Sequence, residues 1–249
     1  MKLDQTSINK ALSAIDKNGK KSYWSVECVD VIDSTQTALK ASSPLHGDVI
    51  AAEFQSAGRG RLDRSFEAES GTGLLFSAYV TPKRDSGEWG FIPLLVGLSV
   101  AEVLGIEFFT KWPNDILSDL GKVGGILCEV HNGGIIIGVG INVSTTQEQL
   151  PVPTASSVLL TLGAAPDRND LLVAILKEIA FNLAEWEAGE DLIDDYLDSS
   201  ATMGKSVSVQ LPDGSALMGK SAGISAQGEL LLDSGEVVSV GDIVHLSLS

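Results

Sequence analysis

Three arginines lie within six residues, which is the pattern in this sequence most suggestive of chemistry. Arg59, Arg61 and Arg64 occupy one short stretch, with a glycine on each side of Arg59, although the chain as a whole is acidic, with 17 Lys and Arg against 33 Asp and Glu. Glycine lets the backbone approach a ligand closely, and the guanidinium group is a fixed fork of donors suited to phosphate or carboxylate. The stretch predicts an anion-binding loop that becomes ordered over its ligand; the alternative is a solvated surface turn.

A second polar segment begins with Lys111 and Trp112 and continues through a proline to Asn114 and Asp115. The proline holds Trp112 extended, so the two following side chains would present oxygens at the end of a strand. Such oxygens suit Mg²⁺ or a network of hydrogen bonds to a nucleotide, and the alternative is an Asx turn. Asp115 is therefore the candidate magnesium ligand.

Two glycine-rich segments follow, joined by an Asn-Gly step that indicates a hairpin. Lys122 precedes Gly124 in the first segment, and Gly138 and Gly140 lie two residues apart in the second. Glycine inside a strand often marks close approach of a ligand or of another backbone. A lysine beside this bare surface could contact an anion, or could be a solvated residue at a sheet edge.

Other kinds of site find no support in the sequence. His46, His131 and His245 are scattered and suggest neither a metal site nor a catalytic triad, and Cys28 and Cys128 lie too far apart for a zinc spacing. We therefore expect catalysis by positioning and electrostatics rather than through a covalent enzyme intermediate.

The elements that would position these segments follow from the hydrophobic pattern. It predicts helices at 7–15, 36–41, 93–104 and 170–188, the last capped by Asp170, and strands at 23–31, 49–54, 73–80, 108–112, 123–130 and 135–143. Their irregular order predicts an α+β catalytic domain over residues 1–201, with a mixed or antiparallel sheet flanked by helices. The short strands and turns of residues 202–249 predict a small SH3-like β-barrel.

The net charge of −16 disfavours nucleic acid and anionic membranes as partners, because duplex binding requires a broad basic face. The N-terminus has no apolar segment of signal-peptide length, and no apolar run approaches the ~18 residues of a membrane span. We predict a cytoplasmic protein, a monomer or weak homodimer, that binds neither nucleic acid nor membranes.

Taken together, five motifs resemble those of biotin–protein ligases in order and spacing. They are Asp33-Ser34-Thr35, Gln55-x-x-Gly58-Arg59-Gly60-Arg61, Lys111-Trp112-Pro113-Asn114-Asp115, Lys122-x-Gly124-Gly125-Ile126-Leu127 and Gly138-x-Gly140-Ile141-Asn142. The resemblance implies a class II synthetase-like catalytic fold. It also implies a two-step reaction, in which biotin and ATP form biotinyl-5′-AMP with the help of Mg²⁺, and the biotinyl group then passes to a lysine of a biotin carboxyl carrier domain.

The resemblance further implies roles for individual residues, with Lys122, Arg59 and Arg61 as the catalytic set. The implied biotin site comprises Ser34, Thr35, Gln36, Gln55, Arg59, Gly60, Arg61, Lys122, Gly124, Gly138 and Gly140. The implied ATP site comprises Arg59, Arg61, Phe66, Lys111, Trp112, Asn114, Asp115, Lys122 and Asn142.

This sequence also departs from the family's pattern. Gln36 stands where the family often has Asn, and Asp63 and Phe66 stand where its loop often has glycine and tryptophan. Phe66 has no indole donor, and Asp63 adds a negative charge to the loop. About 22 residues precede the first predicted strand, too few for the winged-helix domain of members that also repress transcription, so we expect a ligase without repressor function.

Two alternatives stay open at this point. A lipoate–protein ligase or octanoyl transferase shares the catalytic fold, although the arginine loop and the segment from Lys111 to Asp115 together favour biotin. A non-catalytic sensor of biotin or its adenylate belongs to a different class of protein, and the presence of Lys122, Arg59 and Arg61 argues against it.

Overall fold

The computed structural model describes residues 2–14, 22–62 and 64–245. Its main sheet has seven strands in the order β1-β2-β3-β7-β6-β5-β4. They are β1 (Ser25–Ile32), β2 (Asp48–Gln55), β3 (Gly73–Val80), β4 (Phe108–Lys111), β5 (Asp115–Ser118), β6 (Gly121–His131) and β7 (Gly134–Asn142). Strands β1 and β2 are parallel and the other neighbours are antiparallel, so the prediction of a mixed sheet is confirmed.

Six α-helices accompany this sheet in the described part of the chain. They are α1 (Gln5–Ser13), α2 (Thr35–Ala41), α3 (Ile92–Leu104), α4 (Val158–Leu162), α5 (Arg168–Ala188) and α6 (Ile193–Asp198). Helix α5 begins two residues earlier than predicted, and its cap is Asp167 rather than Asp170. The Asp167 carboxylate accepts hydrogen bonds from the backbone N–H groups of Asn169 and Asp170, as an N-cap does.

Helices cover both faces of the sheet. Helix α3 packs against α5 and against strands β4 and β6 on one face, and α2 packs against β2, β3 and β7 on the other. Because both faces are covered, every residue of β3 is buried. A strand buried on both sides reads as a continuous apolar run, and this explains why β3 was recognisable from the sequence.

The stretch Ser86–Leu104, a 3₁₀ turn followed by α3, is long and apolar enough to cross a membrane by length and composition. The sequence prediction that no such run exists was therefore wrong. Most of α3 is buried between the sheet and α5, as expected for the core helix of a globular domain.

The short strand β5 and the short helices α4 and α6 were not predicted. Strand β5 has four residues and helix α4 has five, too few for either periodicity to stand out. Strand β5 pairs with both β4 and β6. It thereby brings the turn around Pro113 beside the glycine-rich hairpin.

The C-terminal module is a five-stranded antiparallel sheet, consistent with the predicted SH3-like barrel. Its strands, in the order β11-β10-β9-β8-β12, are β8 (Ser206–Gln210), β9 (Ala216–Ile224), β10 (Leu230–Leu232), β11 (Val237–Val238) and β12 (Asp242–His245). The buried Trp112 indole donates a 2.9 Å hydrogen bond to the carbonyl oxygen of Gly228, and this bond fixes the module beside the β4–β5 turn. The domain boundary near residue 202 stays a prediction.

Candidate active site

A cavity of about 350 Å³ lies on the α2 face of the main sheet. Its walls are the N-terminus of α2, strands β3, β6 and β7, the β4–β5 turn, the arginine loop (residues 56–66) and one edge of the C-terminal module. The lining includes every residue of the implied biotin and ATP sites except Gly124 and Asn142.

Gly124 faces away from the cavity, and Gly125 lines it instead. Neighbouring residues of a strand point to opposite faces, and Gly125 is the residue paired with Gly140 across the hairpin. A Cβ on Gly124 would lie 2.6 Å from the carbonyl oxygen of Gly140. Gly124 is therefore needed for packing of the two strands, and the bare floor is formed by Gly125, Gly138 and Gly140.

Asn142 is also set apart from the cavity lining. Strand alternation puts it on the same face as Gly140, but it is buried, and its side-chain amide donates a 3.0 Å hydrogen bond to the Ser156 carbonyl oxygen. Its Oδ1 atom is buried and has no hydrogen-bond partner among the described residues. In this arrangement Asn142 ties the end of β7 to the chain beside it.

A network of hydrogen bonds borders the floor where α2 begins. Thr35 donates from its backbone N–H and its hydroxyl to Gln55 Oε1, at 2.7 and 3.0 Å, and its hydroxyl lies 2.8 Å from the Ser77 hydroxyl. Ser77 donates to Gln36 Oε1 at 3.0 Å, and the Gln36 amide donates to the Ile136 carbonyl oxygen at 3.2 Å. Because its members hold one another, the network keeps its polar groups in fixed directions.

The glycine at position 138 makes room for Gln36. A Cβ on Gly138 would lie 2.7 Å from Gln36 Oε1, so the Gln36 amide lies directly against the bare backbone at this position. Ser34, the N-cap of α2, also lines the cavity and is 3% exposed.

The arginine loop is folded back on itself. The backbone N–H of Gly60 donates to the Arg64 carbonyl oxygen at 2.7 Å, and that of Phe66 donates to the Gly58 carbonyl oxygen at 3.0 Å. The Phe66 ring covers the floor, since a Cβ on Gly140 would lie 2.9 Å from it. Asp63, the second departure from the family's loop, lies outside the described residues.

All three predicted catalytic cations are paired with carboxylates, and two of them are at hydrogen-bond distance. Arg59 makes a two-pronged hydrogen bond to Glu129 on β6, at 2.8 and 3.1 Å, and Lys122 Nζ lies 2.6 Å from Asp115 Oδ1. Burial alone would raise the pKa of Glu129, but the hydrogen bonds from Arg59 and Gln36 and the charges of Arg59 and Lys40 together outweigh it and lower that pKa. An anionic ligand would therefore have to replace carboxylates that already hold these cations.

Arg61 is held between the catalytic sheet and the C-terminal module. Its guanidinium donates to Asn114 Oδ1 at 3.1 Å and lies 3.7 Å from Asp242 Oδ1, and Arg64 is hydrogen-bonded to the other oxygen of Asp242. Burial lowers the pKa of Arg61, and the charges of Asp242 and Asp115 oppose this shift. The Asn114 amide in turn donates to the Ile126 carbonyl oxygen at 2.7 Å.

The structure does not assemble a metal site from protein groups alone. Asp115 is committed to Lys122, and the described ranges contain no cluster of three or more His, Cys, Asp or Glu side chains that could hold a metal. A single carboxylate together with ligand phosphates is nevertheless a common arrangement for Mg²⁺. Asp115 fits that role only as one ligand among phosphate oxygens.

Sequence reasoning missed four residues of this region: Ser77, Glu129, Gln210 and Asp242. Ser77 is a fully buried hydroxyl within an apolar strand, and that contrast was the one local signal available. Glu129 lies 70 residues from Arg59, and Asp242 lies 178 residues from Arg64. No local pattern in the sequence relates such distant partners.

Comparison with known proteins places the chain among ligases. Residues 28–145 match the model of the biotin/lipoate A/B protein ligase family. The biotin–[acetyl-CoA-carboxylase] ligase of Mycobacterium tuberculosis is 37% identical, over 98% of this chain and 96% of that protein. The bifunctional ligase/repressor BirA of Escherichia coli is 30% identical, over 88% of this chain and 73% of that protein.

The fold gives the same result. A structure of biotin protein ligase from Aquifex aeolicus in complex with biotin and ATP superimposes with a TM-score of 0.78 and 30% identity, covering 89% of this chain and 98% of that one. A relative that is 37% identical over nearly the whole of both chains, and a solved structure that agrees in fold, leave one conclusion. The chain belongs to the biotin/lipoate A/B protein ligase family.

Proposed function

We propose that this chain is a biotin–protein ligase. It activates biotin with ATP as biotinyl-5′-AMP, releases pyrophosphate, and transfers the biotinyl group to a lysine of a biotin carboxyl carrier domain. The observation that carries the proposal is a cavity in which a glycine floor and a polar network adjoin five cationic side chains, namely Arg59, Arg61, Arg64, Lys111 and Lys122.

The floor suits the biotin rings. A small ligand of mixed polarity needs an apolar surface and a few polar groups in fixed directions. The hydrogen bonds among Thr35, Gln55 and Ser77 supply those directions. Gly138 and Gly140 let Gln36 and Phe66 lie close to the backbone, so that these two side chains also border the ring system. We assign the ring system of biotin to this end of the cavity.

The cations suit the first chemical step. The biotin carboxylate and the α-phosphate of ATP are both anionic, so they repel each other unless fixed positive charge lies between them. Lys122 stands at the edge of the floor, and Arg61 stands between the floor and the C-terminal module. As the carboxylate oxygen bonds to the α-phosphorus and pyrophosphate leaves, Lys122 would exchange Asp115 for the forming anhydride.

Mg²⁺ would bind together with the phosphates of ATP. When bound, it would neutralise charge on the leaving pyrophosphate, and Asp115 is the carboxylate nearest to Lys122 that could complete its ligands. The exchange of partners at Lys122 would release Asp115 for that purpose.

The second step requires protection of the anhydride from water. The amine of the carrier lysine attacks the acyl carbon, the amide forms, and AMP leaves. The arginine loop, with Phe66 lying over Gly140, is placed to exclude water from this intermediate until the carrier arrives.

We expect the reaction to take place in the cytoplasm, where a monomer or weak homodimer acts without nucleic-acid or membrane partners.

Pyrophosphate exchange tests the proposal. The protein is given ATP, labelled pyrophosphate and either biotin or lipoate, and label entering ATP is measured. We expect exchange with biotin alone, followed by transfer of biotin to a purified carrier domain. Exchange with lipoate alone would reject biotin as the substrate, and exchange with neither would reject adenylation.

The packing of Phe66 on the floor gives a second test, the Gly140→Ala change. The added methyl group would lie 2.9 Å from the ring, and overpacking of this kind costs ~1–3 kcal/mol. We expect the KM for ATP in the exchange assay to rise about tenfold, or ~1.4 kcal/mol, because Phe66 must leave the floor. The matched control is Gly223→Ala in β9, where the new Cβ would meet Leu231 at an ordinary 3.7 Å.

If Gly140→Ala binds ATP as well as the wild type does, the Phe66 ring does not rest on the floor in the working enzyme. A change of similar size in Gly223→Ala would instead indicate a general effect of glycine replacement in strands. Thermal unfolding of both variants separates a local effect on the loop from loss of the fold.

A further inference from the structure

The C-terminal module contributes one wall of the cavity through Gln210, Asp242, Ile243 and Val244. Of these, Asp242 is the charged residue, and its carboxylate faces the arginine loop rather than open solvent. One oxygen contacts Arg64 and the other lies 3.7 Å from Arg61. A single carboxylate thus holds two of the three loop arginines.

The position of Asp242 is fixed by the module itself. It is the first residue of β12 and is paired with Gln210 of β8. The preceding Gly241 leaves no room for a side chain, because a Cβ there would lie 2.7 Å from Val209. The module is in turn hydrogen-bonded to Trp112, two residues before Asn114.

The loop is therefore held at two points that belong to different parts of the chain. Asn114 bonds Arg61 from the catalytic side, and Asp242 holds Arg61 and Arg64 from the module. The Arg64 side chain is 66% exposed, and exposed pairs add little to stability. The contact of Asp242 with these arginines therefore matters for the position of the guanidinium groups rather than for stability.

We propose that Asp242 is a positioning residue for the nucleotide site. It holds Arg61 and Arg64 over the cavity before ATP binds, so that the C-terminal module contributes to ATP binding through the arginine loop. The inference rests on the proposed function for its effect on ATP, but its effect on the loop is independent of any ligand. Ordering the loop in advance removes a conformational cost that the nucleotide would otherwise bear.

The Asp242→Asn change separates this role from simple repulsion. If Asp242 only repels the triphosphate, removal of its charge lowers the KM for ATP. If it positions the loop, the same change raises that KM, and we expect an increase of about tenfold. Asp213→Asn is the matched control, because it removes an exposed carboxylate from the β8–β9 turn of the same module, where Asp213 bonds only locally to Ser215.

Hydrogen–deuterium exchange of the ligand-free protein measures the loop directly. We expect the amides of Gly60 and Phe66, which are bonded within the loop, to exchange faster in Asp242→Asn than in the wild type or the control. Unchanged exchange of these amides would overturn the proposal, as would a KM for ATP that stays constant or falls. If the wild type fails to activate biotin, the proposed function is rejected, but the hydrogen–deuterium exchange of the loop still tests whether Asp242 positions it.

A double-mutant cycle tests the pair itself. Arg64→Gln breaks the contact from the loop side. If the two residues act through each other, the double variant with Asp242→Asn should exchange no faster at Gly60 and Phe66 than the worse single variant. Effects that multiply would show that Asp242 acts by another route and would overturn the proposal.

Discussion

Replacing Lys122 with alanine is expected to slow formation of biotinyl-AMP by about 10²–10³, or ~3–4 kcal/mol. Lys122 is the cation at the junction of the glycine floor and the β4–β5 turn, and its ammonium is 2.6 Å from Asp115. Without it, the charge that develops between the biotin carboxylate and the α-phosphate has no compensating group on that side. The rate of biotin-dependent pyrophosphate exchange measures the loss.

Lys2→Ala is a suitable control for this effect. Lys2 also forms a 2.6 Å ion pair, with Asp30, but the pair is largely exposed and both partners lie outside the cavity lining. We expect the exchange rate to be unchanged in Lys2→Ala. Transfer of biotin to the carrier at the wild-type rate by Lys122→Ala would show that the role assigned to Lys122 is wrong.

Glu53→Gln is expected to lower the free energy of unfolding by about 3–5 kcal/mol, because the change removes the negative charge from a buried ion pair with Arg168. Glu53 on β2 accepts a 2.7 Å hydrogen bond from Arg168, the first residue of α5, and a second from the backbone N–H of Leu3. Arg168 also donates to the Gly73 carbonyl oxygen at 3.0 Å. The ion pair thus joins the N-terminal segment, two strands and α5.

Thermal unfolding checks this second prediction. For a chain of this size each kcal/mol corresponds to about 2–4 °C, so a fall in Tm of about 6–20 °C is expected. Asp30→Asn breaks the exposed pair with Lys2 and should cost only about 0–1 kcal/mol. If Glu53→Gln and Asp30→Asn lowered the free energy of unfolding equally, burial of the Glu53–Arg168 pair would not determine how much the pair contributes to stability.

Local sequence patterns predicted those parts of the fold that depend on neighbours along the chain. Asn132 and Gly133 formed the predicted hairpin turn, with φ values of 45° and 77°, because asparagine and glycine tolerate that backbone conformation. The cap of α5 was misplaced because Asp167 and Asp170 both satisfy the local pattern, and the path of the preceding chain decides between them.

In the candidate site, too, some features follow from the local sequence and others depend on the tertiary structure. The five motifs and their spacing predicted which segments line the cavity, because arginine, lysine, glycine and the capping residues have properties that do not depend on distant partners. Only the tertiary structure decided that Gly125 rather than Gly124 faces the cavity, because that depends on the register between β6 and β7. It also paired Arg59 with Glu129, Arg64 with Asp242, and Glu53 with Arg168. These contacts join residues 70, 178 and 115 positions apart, and such pairings arise from chain topology and packing, which a local pattern does not contain.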